Sequence, residues 1–469
     1  MHIKQLVISS SILALAVSVQ GLRPAFKRIE KDNLVAEEPI VQASNAMAAK
    51  VALKVPPRVH LGEYEAIEGI VLARDDFQCN AAKSFNVEDS AYYAAVDASH
   101  RKLLQSALNQ GVEVFYQVQS GSEQACLNRV IAWMRQDTKL DEKQIKARVH
   151  VNLNFATFSS PNIWVRDHGP IWVQSSGSGK SINNTVVQTK YWGAFTSKAQ
   201  TVPNYINAPS TVSSKGGPFK PSPLEVRQFT LEGGNFMTNS EGLCISTATF
   251  LTQNTINEAT AETYFSTAFG CKVSVFLEFL PFDGTKHIDM YVSFAKAKTI
   301  LFGMYKDSQH VPSAEVTRAN KAKLDKALID NELKGYRIVE VPMPDPCDSF
   351  KSVSGKACAG VETICPLNPQ CSLTSLSKCS SSAVFDHTDC LYYNYVPGRT
   401  YLNFFHLNNE LHVPVFPKDK KFEAAALKII AKETGKKIVK HHGEVLAYQS
   451  GSVHCITKQI PRLSLFMPR

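Results

Sequence analysis

The stretch Gly451-Ser452-Val453-His454-Cys455-Ile456-Thr457 sets one thiol among small and hydroxyl-bearing neighbours, the setting of a nucleophile on a loop. A buried inert thiol is the default for an isolated cysteine. Three upstream motifs give this one a chemistry: Trp164-Val165-Arg166-Asp167-His168-Gly169-Pro170, Glu232-Gly233-Gly234-Asn235-Phe236 and His287-Ile288-Asp289-Met290-Tyr291. A thiol, an imidazole and several carboxylates gathered at one place suit a planar cation with an attackable carbon. A guanidinium is such a group, a rigid fork of N–H donors that carboxylates grip bidentately.

In this order and spacing the four motifs resemble the Porphyromonas-type peptidylarginine deiminase and agmatine deiminase family, within the guanidine-modifying superfamily. The resemblance runs from near Gly62-Glu63-Tyr64 to about Pro461. A fifth match, Tyr401-Leu402-Asn403-Phe404-Phe405 leading into Val413-Pro414-Val415-Phe416, strengthens it. The resemblance implies that Cys455 attacks the guanidinium carbon and expels ammonia, leaving a covalent thiouronium that water resolves to a ureido group. It implies neither a metal nor another cofactor.

Asp167 and Asp289 match the family's cation-gripping carboxylates. Taken alone, Asp167 would rather pair with Arg166 or cap the turn at Gly169-Pro170. His287, two residues before Asp289, shares a face with it if the segment is extended, and is suited to donate a proton to departing ammonia and then accept one from water. The His-x-Asp pattern would also suit a metal, for which no third ligand stands at a recognisable spacing. The expected catalytic set is thus Cys455, His287, Asp167 and Asp289.

Glu232 is a further candidate for cation binding, against the plainer reading of an exposed glutamate on a glycine turn. Asn403 matches a site asparagine of the family. Trp164 is either a wall stacking on the guanidinium plane or core packing. Arg166 and Asn235, from the same motifs, complete the expected substrate-binding residues. Carboxylates beside a thiol raise its pKa above the ordinary value of about 8.5, so the bound cation is expected to assist its ionisation.

The 469 residues, 44% of them hydrophobic, allow one large repeat-built domain or two to three ordinary ones. Met1-His2-Ile3-Lys4 and the apolar run Leu6 to Val19 have the form of a secretory signal peptide, assigned to residues 1–21. Residues 22–54 lack periodicity and read as a leader or propeptide. Residues 55–465 form the expected catalytic domain. No other segment approaches the roughly 18 uninterrupted apolar residues of a membrane span, so a secreted protein without a span is expected. The sequon Asn183-Asn184-Thr185 would matter only in a eukaryotic secretory pathway.

Of the 11 cysteines, Cys347, Cys358, Cys365, Cys371, Cys379 and Cys390 crowd one Ser- and Pro-rich stretch, read as a disulfide-rich insertion over 345–390 with its pairing left open. Zinc is disfavoured because no pair has Cys-x-x-Cys spacing. Cys79, Cys126, Cys244 and Cys271 could form two bridges or stay buried, leaving Cys455 as the odd thiol. The formal charge of +9 is scattered, with one dense cluster at Lys436-Lys437 and Lys440-His441-His442. Without interleaved aromatics that cluster reads as a solvated face and not a nucleic-acid site.

Periodicity repeats an amphipathic helix, a glycine and a β-rich run: 100–110 with Gly111 and 112–116, 258–269 with Gly270 and 273–276, 316–334 with Gly335 and 336–339, 422–434 with Gly435 and 438–439. A copy without the glycine fits 124–146 and 149–151. Such units argue for an α/β protein of repeated modules. The family resemblance implies a five-bladed α/β propeller of ββαβ modules, while periodicity alone also fits a doubly wound sheet. Two excursions, 174–223 and 345–390, interrupt the modules.

The leading expectation is an exported deiminase of peptidyl or free arginine, yielding citrulline. Agmatine deimination is the alternative, because Tyr191-Trp192-Gly193 and the residues after His454 also resemble that branch. Lys190 and Lys198 are present where a carboxylate-reading enzyme of this type would carry an arginine pair. Amidinotransfer to an amine, and a non-catalytic secreted binding protein on the same scaffold, are the further readings. The expected partner is a small-molecule or peptidyl guanidinium, with no nucleic acid.

Overall fold

The computed structural model describes residues 58–74, 79, 87–118, 121–151, 163–176, 182–191, 224–281, 283–307, 311–344, 398–416, 420–447 and 451–462. The signal-peptide, leader and disulfide-rich-insertion assignments therefore lie outside the described residues, as do most of 174–223 and all six crowded cysteines. The described residues all belong to the unit from Val55 onward.

The helix-glycine-strand units recur in the fold. The 258–269 unit shows why they stop where they do. Asn257 accepts a hydrogen bond from the Thr260 N–H (2.9 Å) at the start of helix Glu258–Phe269. Gly270, with φ of +78°, ends it; its N–H donates to Ser266 O and that of Cys271 to Phe265 O. The buried stripe Ala261, Phe265, Ala268 and Phe269 faces the strand Val273–Leu277. Left-handed glycines at 111, 335 and 435 mark the equivalent steps.

Three helices differ from the sequence pattern, the first being the one expected over 100–110, which runs Val87–Asn109. The reading of 124–146 as one helix divides into Glu123–Asp137 and Glu142–Lys146, because Asp141 and Gln144 form a reciprocal capping box that starts a new helix. The helix expected over 316–334 runs Val311–Asp330, four residues short of Gly335.

Among the described residues the strands assort into five separate sheets, and a single doubly wound sheet is ruled out. Three share one plan. Strand Val292–Lys296 runs antiparallel to Thr299–Met304, which pairs in parallel with Arg337–Pro342 across the helix Val311–Asp330. The same plan builds Phe405–Leu407, Glu410–Val415 and Lys437–His442, and also Met237–Thr238, Leu243–Thr247 and Val273–Leu277. A fourth sheet orders Arg58–His60, Ile171–Ser176, Ile182–Lys190 and Leu224–Thr230. The fifth joins chain ends: Lys458–Pro461 pairs antiparallel with Ile67–Ala73, followed by Glu113–Gln117 and Val149–Val151 in parallel.

Disulfides join Cys79 to Cys126 and Cys244 to Cys271, and among the described residues Cys455 is the free cysteine. The basic cluster is neutralised locally, Lys437 by Glu410 and Lys440 by Glu423. No helix among the described residues is long and apolar enough to cross a membrane.

Buried histidines make this fold acid-sensitive. Burial pushes His60 and His100 down to about 3 and His412 down to about 4. His100 Nδ1 lies 2.8 Å from Tyr116 OH, and His412 Nδ1 lies 2.8 Å from His441 Nε2. The unfolded chain takes up these protons near pH 6.5, so stability present above that pH is lost as pH falls towards 4. The expected outcome is a urea midpoint that drops across that window, with a shallower drop in His412→Gln. A midpoint unchanged between pH 6.5 and 4 would contradict it.

Candidate active site

Four short irregular segments, each beginning or ending a sheet strand, carry the candidate residues. Asp167 sits in the four-residue helix Val165–His168, before strand Ile171–Ser176. The Arg166 N–H donates to Cys455 O (3.1 Å), tying this helix to the thiol segment. Glu232 precedes a 3-10 turn at Gly233–Asn235, and His287 one at Ile288–Met290. Cys455 lies three residues before strand Lys458–Pro461, its loop braced by Thr457 Oγ1, which donates to Val453 O and His454 O (both 2.9 Å).

His287 is placed by a costly piece of backbone. Lys286 holds φ of +59°, where a side chain is disfavoured. Its carbonyl is held by Thr247 Oγ1 (2.7 Å). Asp283 accepts from the N–H groups of Thr285 (2.9 Å) and His287 (3.0 Å), closing the turn.

These segments, with Asn403 just ahead of strand Phe405–Leu407, bring together Cys455, His287, Asp167, Asp289, Glu232 and Asn403. His287 Nε2 lies 2.8 Å from Glu232 Oε2, and its Nδ1 lies 3.6 Å from Asp167 Oδ1. Asp167 Oδ1 also accepts from the Gly234 N–H (3.0 Å). Cys455 Sγ stands 3.7 Å from Asp289 Oδ2 and 3.3 Å from Asn403 Nδ2. All six side chains are buried. Glu232 is therefore not the exposed turn glutamate of the plainer reading.

Gly234 lies at the middle of this group. A Cβ built there would sit 2.6 Å from His287 Nδ1, 2.8 Å from Asp167 Oδ1 and 3.0 Å from Asp289 Oδ2. The missing side chain leaves a slot bounded by two carboxylates and an imidazole. His287 Nδ1, which borders the slot, is buried without a hydrogen-bond partner among the described residues, as is Asp289 Oδ1 of the neighbouring carboxylate. Buried polar atoms are normally satisfied, so the slot is shaped for a polar ligand.

Three other candidates are placed differently. Arg166 does not touch the slot as its motif suggests; its fully buried guanidinium instead pairs with Glu63 Oε1 (2.6 Å) and His454 O (3.3 Å). Asn235 also turns away, its Oδ1 accepting from the Thr247 N–H (2.9 Å), because that strand end needs a partner. Trp164 packs over Gly451, where a Cβ would meet the indole at 2.2 Å. It is partly buried against the core, in line with the packing reading.

The electrostatics favour an added cation. Burial raises Asp167 to about 7, assisted by Glu232 and Asp289 and opposed by His287. Burial acts to lower His287, but Asp167, Glu232 and Asp289 outweigh it and raise the imidazole to about 10. The proton therefore stays on His287. Burial, then Asp289 and Asp167, push the Cys455 thiol well above its ordinary value. Asp167, Glu232 and His287 each offer an atom within 4.8 Å of the others, a geometry open to a metal ion as well. That group leaves out Asp289 of the His-x-Asp pattern, and within it Glu232 already occupies Nε2 of His287.

Motif reasoning assigns no role to Glu63, His454 or Gly234. Glu63 stands in the first matching motif and His454 beside the cysteine, so their positions are visible in the sequence. Nothing in residue type announces that they meet.

Comparison with known proteins gives a consistent set of relatives. The model of the family described as Porphyromonas-type peptidyl-arginine deiminase matches residues 95–461. An agmatine deiminase of Pseudomonas syringae pv. syringae (strain B728a) is 24% identical over 323 residues, covering 66% of this chain and 77% of the relative. Among solved structures, a putative arginine deiminase from Porphyromonas gingivalis superposes with a TM-score of 0.60 at 18% identity, covering 86% of this chain and 98% of its own. A C. jejuni agmatine deiminase gives 0.56 at 18% identity, covering 86% and 96%. These structures share the mixed α/β fold. With the family match extending over well beyond half of its length, the chain belongs to the Porphyromonas-type peptidyl-arginine deiminase family and is a hydrolase acting on C–N bonds of linear amidines.

Proposed function

We propose that the protein hydrolyses the guanidinium of agmatine to a ureido group, giving N-carbamoylputrescine and ammonia. The observation that carries this reading is the buried group of Cys455, His287, Asp167, Asp289 and Glu232 around the Gly234 slot. The slot fits a flat headgroup and its carboxylates fit a cation. Agmatine takes precedence over the arginine substrates that lead from sequence for two reasons. Arg166 is committed to Glu63 and does not face the slot as a carboxylate-binding cation. The curated relatives carry the name agmatine deiminase. Peptidyl arginine is the second reading, favoured by the family's own description and by the signal-like start.

In this mechanism Asp167 and Asp289 clasp the N–H groups and hold the guanidinium carbon over Cys455. The sulfur bonds to that carbon as the thiol sheds its proton to solvent by way of Asp289 Oδ2, 3.7 Å away, and the C–N bond to one terminal nitrogen breaks. His287, protonated at neutral pH, supplies the proton with which ammonia leaves. Water then gives one proton to His287 and adds to the thiouronium carbon; as the C–S bond breaks, the adduct's hydroxyl proton returns to the sulfur, and the proton first shed to solvent converts ammonia to ammonium. The sum is one guanidinium and one water converted to one ureido group and ammonium. Asn403 steadies the sulfur throughout.

We further propose that the five sheets are the blades of an α/β propeller, supported by their shared antiparallel-then-parallel plan and by the sheet that joins the chain ends. Export is part of the same proposal, supported by the two disulfides, which persist in oxidising compartments.

Ammonia release should be measured with agmatine, free arginine and an arginyl peptide. Turnover of agmatine above both others, abolished in Cys455→Ala, is the expected result; preference for the peptide would install the second reading, and no turnover of any guanidine would leave a non-catalytic binder. Gly234→Ala should keep the fold and lower kcat/KM on the order of 10²-fold, as a misplacement of about 1 Å can; near-normal activity would mean the slot lies elsewhere. Alkylation of Cys455 should show a lower apparent pKa with a planar cationic haloacetamidine than with a neutral haloacetamide. Equal profiles would remove substrate-assisted ionisation from the mechanism.

A further inference from the structure

We infer that Glu63 and His454 form a buried relay that positions Asp289 for the substrate, so that the active site extends one layer behind the residues that touch the guanidinium. This inference rests on the deiminase reading above. It adds two positioning residues from opposite ends of the chain.

The geometry is specific. His454 Nδ1 lies 2.7 Å from Asp289 Oδ2, and His454 Nε2 lies 2.7 Å from Glu63 Oε2. Both ring nitrogens face carboxyl oxygens, which in their ionised form only accept. Two such bonds require an imidazolium between two carboxylates. Glu63 spends its other oxygen on Arg166 Nη1 at 2.6 Å, so the buried row alternates in sign: Arg166, Glu63, His454, Asp289. Arg166, His454 and Asp289 are buried, and the Glu63 side chain is 12% exposed.

The electrostatic balance agrees with the geometry. Burial and Arg166 act to lower His454, yet Glu63 and the bonds to both carboxylates raise it. Burial opposes ionisation of Glu63, but Arg166 and His454 hold it well below the usual carboxylate range.

The consequence falls on Asp289. Its Oδ2 is tied by His454 and stands 3.7 Å from the sulfur, so the carboxylate cannot turn freely about its last torsion. Oδ2 is also the oxygen that borders the slot, 3.0 Å from a Cβ built at Gly234, while Oδ1 is buried without a hydrogen-bond partner among the described residues. The relay thereby holds the slot-side carboxylate in a fixed direction for the incoming N–H groups. His454 also fixes the backbone beside the nucleophile, its N–H donating to Asn403 O (3.2 Å). A purely structural role would stop at that backbone contact.

The test has two independent arms on the full-length protein. In the first, ¹⁵N-histidine NMR, with the His454 signals assigned by their loss in His454→Gln, should show an imidazolium carrying two hydrogen-bonded ring protons at neutral pH. Glu63→Gln should convert it towards a neutral ring. In the second, His454→Gln should raise KM for the guanidine substrate about 10- to 100-fold, the scale of losses when a ligand-orienting partner is removed, with a smaller change in kcat. Combined with Asp289→Asn it should add little further loss, since it acts through Asp289.

A neutral His454 with a single ring proton in the wild type, or losses that multiply in the double variant, would overturn the inference. If His454→Gln does not fold, the wild-type and Glu63→Gln spectra decide. If the wild type turns over no guanidine, the deiminase reading fails on its own; the spectra, with calorimetric binding of guanidinium ion to wild type and Glu63→Gln, then decide the relay, weaker binding in the variant supporting it and equal binding refuting it.

Discussion

The site depends on holding several carboxyl groups and one thiol together away from water. Burial of like charges is unfavourable, and Asp167 and Cys455 both carry that cost as raised pKa values. What opposes the repulsion is the positive charge on His287 and His454, set among the carboxylates, together with local bonds. Asp167 is held by a Gly234 N–H, His287 by a turn closed on Asp283, and the thiol loop by Thr457 and by the bond between Arg166 and Cys455. On the proposed reading, a planar cation entering the slot supplies the remainder, so that one electrostatic deficit would both select the ligand and ionise the nucleophile.

The sequence speaks clearly where a residue's type and its immediate neighbours decide its environment. Glycines closing helices at 111, 270 and 435, and strands following them, are legible because each needs only local information. So are Cys455, His287, Asp167, Asp289, Glu232 and Asn403 as members of one constellation, although their assembly requires the resemblance and not the spacing. Arg166 and Asn235 mislead because a polar residue within a functional motif can be spent on the scaffold. Arg166 answers a glutamate 103 residues away and Asn235 caps a strand end 12 residues on. Neither relation is written in local pattern.

Glu63 and His454 are illegible for the same reason in reverse. Their residue types are ordinary, and their meaning arises only when chain positions 391 residues apart converge. Lys286 is harder still. A lysine in the left-handed region contradicts its own preference, and only the tertiary bond from Thr247 makes it tenable. Local rules fail there next to the imidazole, as they tend to at functional sites.

The strand Lys458–Pro461 that completes the sheet begun by Ile67–Ala73 follows the sulfur by only three residues. During synthesis, the nucleophile and the strand that anchors it emerge together, long after their partner strand. A nascent chain that stops short of Cys455 therefore lacks both the sulfur and the strand that completes this sheet.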